Sequence, residues 1–207
     1  MHAKVAAGTE GARQLSDVLS VLYSTQEDDG SHKCLSYRLS GSGGALEEWG
    51  YEYTRCLASQ LVLAHREAAD APAPDGCAEL VDALCKLHVK SGREPDCVDL
   101  LIETGGLAQL PGFLDGKSYP RTCLYLLRCA QYLTPPEDSL ALSMAQEAYL
   151  NGGSPSEALV VALLKGGAPA DVLRCFDAAD SDATRRQLAL ILGRERYRSE
   201  EVFERLE

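Results

Sequence analysis

No apolar run in the 207-residue chain approaches the eighteen or so residues of a membrane span, and the opening MHAKVAAGTEGARQ lacks the apolar core of a secretory signal. A basic excess is missing too: 20 Lys and Arg stand against 31 Asp and Glu, a net charge of −11. That balance disfavours long-range attraction to phosphate backbones and anionic lipid, so nucleic acid and membrane are poor partners. Alternating Val, Ile and Thr runs bounded by hairpin turns are absent, which excludes a sheet. There is no P-loop, dinucleotide fingerprint or metalloprotease helix, and GGSPSE at 152–157 reads as helix capping rather than a nucleophile elbow. No enzyme and no cofactor are expected. The fixed period of strict tetratricopeptide or ankyrin arrays is missing as well.

What is present is enough apolar residue, 45% of the chain, to bury a core. Eight cysteines, at 34, 56, 77, 85, 97, 123, 129 and 175, sit mostly among Leu and Ala on helical faces, where free buried thiols are the natural state. Cys123 and Cys129 lie about 9 Å apart along one helix, too far for a bridge. Cys77, Cys85, His88 and Cys97 invite a zinc reading, but Cys77 and Cys85 would stand about 12 Å apart on a continuous helix, beyond a shared ion. No metal is expected. Reduced thiols and an opening stretch without a signal core lead to an expected location in the cytoplasm or nucleus.

The most informative stretch is CLSYRLSGSGGALEEWGYEYTRCLASQL, Cys34 to Leu61. Leu46, Trp49, Tyr53, Cys56, Leu57, Leu61 and Ala64 fall at steps of three and four, lining one face of a helix that follows a loop-like lead-in. Ser42 is the expected N-cap, and Glu47 and Glu48 suit the positive end of the helix dipole. Gly50 would then sit in mid-helix at a cost of about 1 kcal/mol relative to Ala, explained by a close backbone approach or by simple tolerance. Trp49 and Tyr53 are read as core, with interface anchoring as the other reading. Glu47, Glu48, Glu52 and Arg55 are the exposed candidates for partner contact.

Elsewhere the reading is helix after helix. Gly11 to Thr25 places Leu15, Val18, Leu19 and Leu22 on one face, and the acidic Glu27, Asp28 and Asp29 follow as a solvated loop. APAPDG, 71–76, reads as a linker because each proline biases its predecessor away from helix. Helices are expected over 77–91 and 95–104, and over 119–132, apolar nearly all round and so the most buried. Five more follow at 136–151, 155–165, 169–178, 182–193 and 199–206. Thr134-Pro135-Pro136-Glu137 and Ser154-Pro155-Ser156-Glu157 each spell a capping box with proline in the first turn, and Gly pairs close the helices. Arg185, Arg186, Arg194, Arg196 and Arg198, interspersed with Glu195, Glu200, Glu201 and Glu204, read as a salt-bridged solvated face. The fold class is all-α, helical hairpins stacked as an α-solenoid-like array. The expected organisation is N-terminal helices over 1–70, a linker over 71–76 and stacked hairpins over 77–207, in a monomer.

Several of these segments carry a resemblance. Cys34 to Leu39, Gly41-Ser42, Leu46 to Arg55, and SYPRTCLYLLRCAQYLTPPEDSLAL at 118–142, with SEALVVALL and TRRQLALILGR later, resemble the N-terminal part of the proteasome non-ATPase regulatory subunit two family, the largest non-ATPase subunits in the base of the 26S regulatory particle. The similarity covers nearly the whole chain from Arg13. The family's charged N-terminal extension and its following ring of repeats have no counterpart, and the chain stops on VFERLE, so it is expected to be an excised N-terminal piece. The resemblance implies a non-catalytic scaffold that packs on the coiled coil of proteasomal ATPase subunits and supports a ring receiving ubiquitin-like domains. It implies for this stretch only weak, salt-sensitive contact with ubiquitin or a ubiquitin-like domain. A free-standing tetratricopeptide-like adaptor that binds a peptide is the alternative reading.

Overall fold

The computed structural model describes residues 9–26, 30–68 and 75–206. Among them eleven α-helices and two short 3-10 helices occur and no strand, so the chain is all-α. It divides into two compact units, residues 1–106 and 107–207.

The first unit holds α1 (Glu10–Ser24), α2 (Lys33–Leu39), a 3-10 turn (Leu46–Trp49), α3 (Tyr51–Glu67), α4 (Cys77–Lys90) and α5 (Glu94–Glu103). α3 is its axis and touches α1, α2, α4 and α5. Leu57 and Leu61 of α3 close on a core that also contains Leu84, Cys85, Cys97, Val98 and Leu101, all buried. Each fully buried Leu or Val contributes about 1.5–3 kcal/mol of transfer free energy.

The second unit begins with a 3-10 turn (Leu107–Gly112) and continues through α6 (Tyr119–Cys129), α7 (Glu137–Asn151), α8 (Pro155–Leu164), α9 (Pro169–Asp177), α10 (Asp182–Arg194) and α11 (Glu200–Leu206). Successive helices pack on one another from α6 to α9, after which α10 lies on α8 and α11 on α9. This is the hairpin stacking of a solenoid-like array. Small residues let the helices approach: Ala141, Ala145, Ala158 and Ala162 are wholly buried beside Leu126, Leu159 and Val172.

One closing device recurs in both units. The amide of the third residue past the helix reaches back to a carbonyl in the last turn, in Arg93 to His88, Gly106 to Leu101, Ser154 to Tyr149, Gly167 to Ala162 and Tyr197 to Leu192, all at 2.8–3.0 Å. These bonds satisfy carbonyls that the helix itself leaves open. Four of the five use a glycine with positive φ before the donor; the last uses Arg196 at φ 53.

Several local expectations change. Lys33–Leu39 is a helix, not a loop-like lead-in. The spine helix is interrupted, because Gly50 adopts φ 82 and ψ 172 between the 3-10 turn and α3. A Cβ there would meet nothing within 4 Å, so neither a close approach nor mid-helix tolerance explains the glycine; the backbone angles do. Ser42 caps nothing and instead donates to Asp17. On α1, Leu15, Val18 and Leu22 are about half exposed, at 47%, 49% and 53%, while Asp17 and Ser20 of the opposite side are buried. The polar pair turns inward because partners on α2, α3 and the following loop receive it.

Neither capping box forms. α7 starts at Glu137, with the Thr134 carbonyl rather than its hydroxyl accepting from Glu137 at 2.9 Å. α8 starts at Pro155 as expected, but the Ser154 hydroxyl bonds Tyr119. Ser181, which the sequence reading passed over, does cap α10 through the Thr184 amide at 3.1 Å. α6 is not the most buried helix, since Leu124 is 59% exposed and Tyr132 beyond it 86%. Glu27, Asp28, Asp29 and most of the 71–76 linker lie outside the described residues.

Candidate partner-binding site

The sequence points to the start of α3, and the structure places each residue of that constellation. Tyr53 is buried and its hydroxyl lies 2.9 Å from Ser20 Oγ, which in turn donates to the Cys34 carbonyl at 2.7 Å. Burial pushes the Tyr53 phenol up, against the opposing effect of the Ser20 hydrogen bond. Trp49 is half-buried, tilted against Tyr53 at 6.1 Å between centroids. Tyr53 thus ties α3 to α1 and, through Ser20, to α2, while Trp49 packs the 3-10 turn against α3. Beside them Asp17, 6% exposed, accepts from the Ser42 amide at 3.1 Å and from the Ser42 hydroxyl, with Arg38 Nη1 at 3.8 Å. Arg38 also donates to the Gly44 carbonyl at 2.5 Å, so the Gly-rich loop is tied down at two points.

Glu47, Glu48, Glu52 and Arg55 are all exposed, but they do not form one patch of free charge. Glu47 pairs with Lys90 of α4 at 2.8 Å, and Glu52 with Arg55 at 3.8 Å. Such exposed pairs contribute up to about 1 kcal/mol each and exchange readily for a partner's charges.

Two hollows flank this start. One, of about 260 Å³, is lined by Glu47, Gly50, Tyr51, Lys90 and Arg93 among others. The other, of about 340 Å³, runs along α3 past Arg55, Ala58, Val62 and Leu63, with His88 of α4 and Asp96, Leu100 and Glu103 of α5 on its other side. Tyr51 lines both and carries the Arg93 guanidinium over its ring at 4.4 Å. Sequence reasoning named Arg55 here but missed the hollow, because it needs α5 opposite α3, a juxtaposition no local pattern carries. From the sequence His88 stood out only in the set Cys77, Cys85, His88 and Cys97, which was weighed as a zinc site and set aside.

His88 is 2% exposed and neither ring nitrogen has a hydrogen-bond partner; Nδ1 is 3.9 Å from an Asp96 oxygen. Burial lowers its pKa, Asp96 opposes that and Arg93 adds to it. None of the eight cysteines forms a disulfide, and six of them are buried. The hydrogen bond to Cys85, then burial, raises the Cys97 thiol, and burial pushes Cys123 up to about 12 and Cys175 to about 11, so none of these three offers a thiolate near neutrality. Among the described residues no group of three or more His, Cys, Asp or Glu could hold a metal ion, and no helix is long and apolar enough to cross a membrane. Arg185, Arg186, Arg194, Arg196 and Arg198 are exposed.

Residues 1–206 match the RPN1 N-terminal domain. The chain is 37% identical over 187 residues to the 26S proteasome regulatory subunit rpn-1 of Neurospora crassa, covering 87% of this chain and 20% of that protein. It is 33% identical over 204 residues to the 26S proteasome regulatory subunit RPN1 of Candida glabrata, at 88% and 20% coverage. With the 26S proteasome non-ATPase regulatory subunit 2 homolog B of Arabidopsis thaliana it shares 35% over 164 residues, at 78% and 18% coverage. The chain therefore spans about a fifth of the length of the curated relatives it matches.

Proposed function

This chain belongs to the RPN1 N-terminal domain family, and from that premise we propose that it is a non-catalytic scaffold of the 26S proteasome regulatory particle, acting in ubiquitin-dependent protein degradation in the cytoplasm and nucleus. The observation that carries the reading is the family match from residue 1 to 206, with relatives named as proteasome regulatory subunits. The partner on this reading is the coiled coil of a pair of proteasomal ATPase subunits, and Glu47, Glu48, Glu52 and Arg55 at the start of α3 supply its polar contacts. The all-α hairpin build supports a scaffold, since stacked helices present extended rigid surfaces. A free-standing tetratricopeptide-like adaptor is not favoured beside that family match. Ubiquitin-like domains make only weak, charge-assisted contact with this acidic chain.

The test is coelution of the chain with a recombinant proteasomal ATPase coiled-coil pair. A stable complex that Glu47→Lys combined with Glu52→Lys weakens supports the scaffold reading. No complex with the pair, together with tight salt-resistant binding to ubiquitin, would replace it with a receptor.

A further inference from the structure

The arginines near the end of the second unit do not form the salt-bridged face that their sequence suggests. Among the described residues only Arg194 of the set pairs, with Glu195 at 3.8 Å, and its side chain stays 86% exposed. Arg185, Arg186, Arg196 and Arg198 are exposed and make no ion pair, and Glu200, Glu201 and Glu204 do not reach them. Residues 183–198 thus hold five arginines against one glutamate in a chain of net charge −11. α10 turns Leu188 and Leu192 inward, and the helical repeat then sets Arg186, Leu190 and Arg194 in a line on the opposite side. Leu190 is 74% exposed, Ala183 and Ala189 beside it are exposed, and a Cβ on Gly193 would meet nothing within 4 Å. The line is open and about 12 Å long.

Arg196 adds an independent observation. It sits at φ 53 in the closing turn after α10, where the four sister turns use glycine. That left-handed conformation crowds a Cβ, so an arginine there is less stable than a glycine would be, and no ion pair within the chain compensates it. Backbone strain kept at an exposed, unpaired side chain points to a use outside the chain.

We propose that the outer face of α10 and the turn after it form a docking surface for an acidic segment of a partner protein, one whose Glu or Asp side chains flank an apolar residue. The carboxylates take the guanidiniums of Arg186 and Arg194, whose planar fork matches them, with Arg196 and Arg198 past the end of the line. The apolar residue covers Leu190, which stands between the two charges and which a bare polyanion would leave in water. Leu190 decides for protein over nucleic acid, and so does the lack of aromatics: single strands are held by basic grooves with stacking rings. α10 carries no aromatic residue, and Tyr197 after it is engaged on the Gly167 carbonyl. The surface belongs to the second unit and the α3 contact to the first, so the two readings succeed or fail separately.

Two fluorescent peptides of about 15 residues test it with the 207-residue chain. Both repeat a Leu flanked by charged residues, Glu in one and Lys in the other, and anisotropy follows binding. The net charge of −11 attracts the Lys peptide, so tighter binding of the Glu peptide, by at least ~3-fold, can come only from a local basic surface. Arg186→Glu combined with Arg194→Glu, both on exposed positions, is expected to weaken the Glu peptide at least ~10-fold, because two attractions become repulsions. Arg196→Gly is the sharpest variant. It is expected to raise the urea midpoint, by relieving the left-handed arginine, and at the same time to weaken the Glu peptide ~3-fold. An arginine kept for structure alone does not produce that opposition. Equal or tighter binding of the Lys peptide, an affinity unchanged in the double reversal or in Arg196→Gly, no binding at millimolar Glu peptide, or tighter binding of a polyuridine strand of similar length each overturns the proposal. Self-association of the chain that the double reversal abolishes would overturn it in favour of a second copy as the occupant.

Discussion

The Tyr119 hydroxyl donates to the Gly152 carbonyl at 3.1 Å, and its ring occupies the space into which a Gly152 side chain would project. The same relationship recurs further along, where Tyr197 donates to the Gly167 carbonyl at 2.8 Å and stands 2.9 Å from a Gly167 Cβ. In each case a tyrosine seals the C-terminal turn of a helix that is not its own.

Gly152→Ala is expected to destabilise the chain by about 1–3 kcal/mol, the range for forcing volume into a packed site. Gly152 has an ordinary φ of −79, so the cost is steric and not conformational. A double-mutant cycle in urea checks this: Tyr119→Ala removes the clash, and the pair should be less destabilised than the two single costs added.

Gly50→Ala is expected to cost about 1–3 kcal/mol, because φ 82 with ψ 172 belongs to a region that side chains avoid. Were Gly50 inside a helix, the same change would stabilise by about 1 kcal/mol. The sign of the shift in urea midpoint therefore reports the break directly.

Trp49→Ala is expected to cost about 2 kcal/mol, below the roughly 3–5 of a fully buried tryptophan, since Trp49 is only half-buried. Thermal melts of the isolated chain measure it.

Asp17→Ala leaves the Arg38 guanidinium buried without its carboxylate and takes an acceptor from Ser42, at a cost of about 3–5 kcal/mol. Asp17→Asn keeps an acceptor for Ser42 and should cost less. Chemical denaturation of the two variants side by side decides whether charge or hydrogen bonding dominates.

His88 sets a pH dependence. Its folded pKa lies below the ordinary value of 6.5 because burial disfavours the cation. The unfolded chain therefore takes up a proton first, and the stability is fully present above about pH 6.5 and is lost as pH falls towards the folded pKa, at a slope of up to about 1.4 kcal/mol per pH unit. His88→Leu should flatten that part of the stability profile, as measured by urea midpoints between pH 7 and 5.

From Cys77 onward the helix ends were legible to within one residue, except that of α6, expected at 132 and found at Cys129, because Gly pairs, prolines and apolar steps of three and four mostly agree there. The stretch before it was misread where tertiary partners override hydropathy. Leu15, Val18 and Leu22 look like a core stripe, yet Asp17 and Ser20 go inside because Arg38, Ser42, the Cys34 carbonyl and Tyr53 meet them. Ser42 and Ser154 had the right residue type for caps, but a hydroxyl can satisfy only its best neighbour, and those were Asp17 and Tyr119. Of the candidate site, the charges at α3 were legible and the hollow was not, since its other side comes from a helix some forty residues further on.

The stacking of α6 to α11 bears on how the chain comes to fold. Each helix there packs on its immediate neighbour or on the one before that, so few contacts span long loops. Low contact order of this kind goes with microsecond-to-millisecond folding. It also means that a hairpin emerging from the ribosome already has its packing partners synthesised, and the unit can assemble in the order in which it is made.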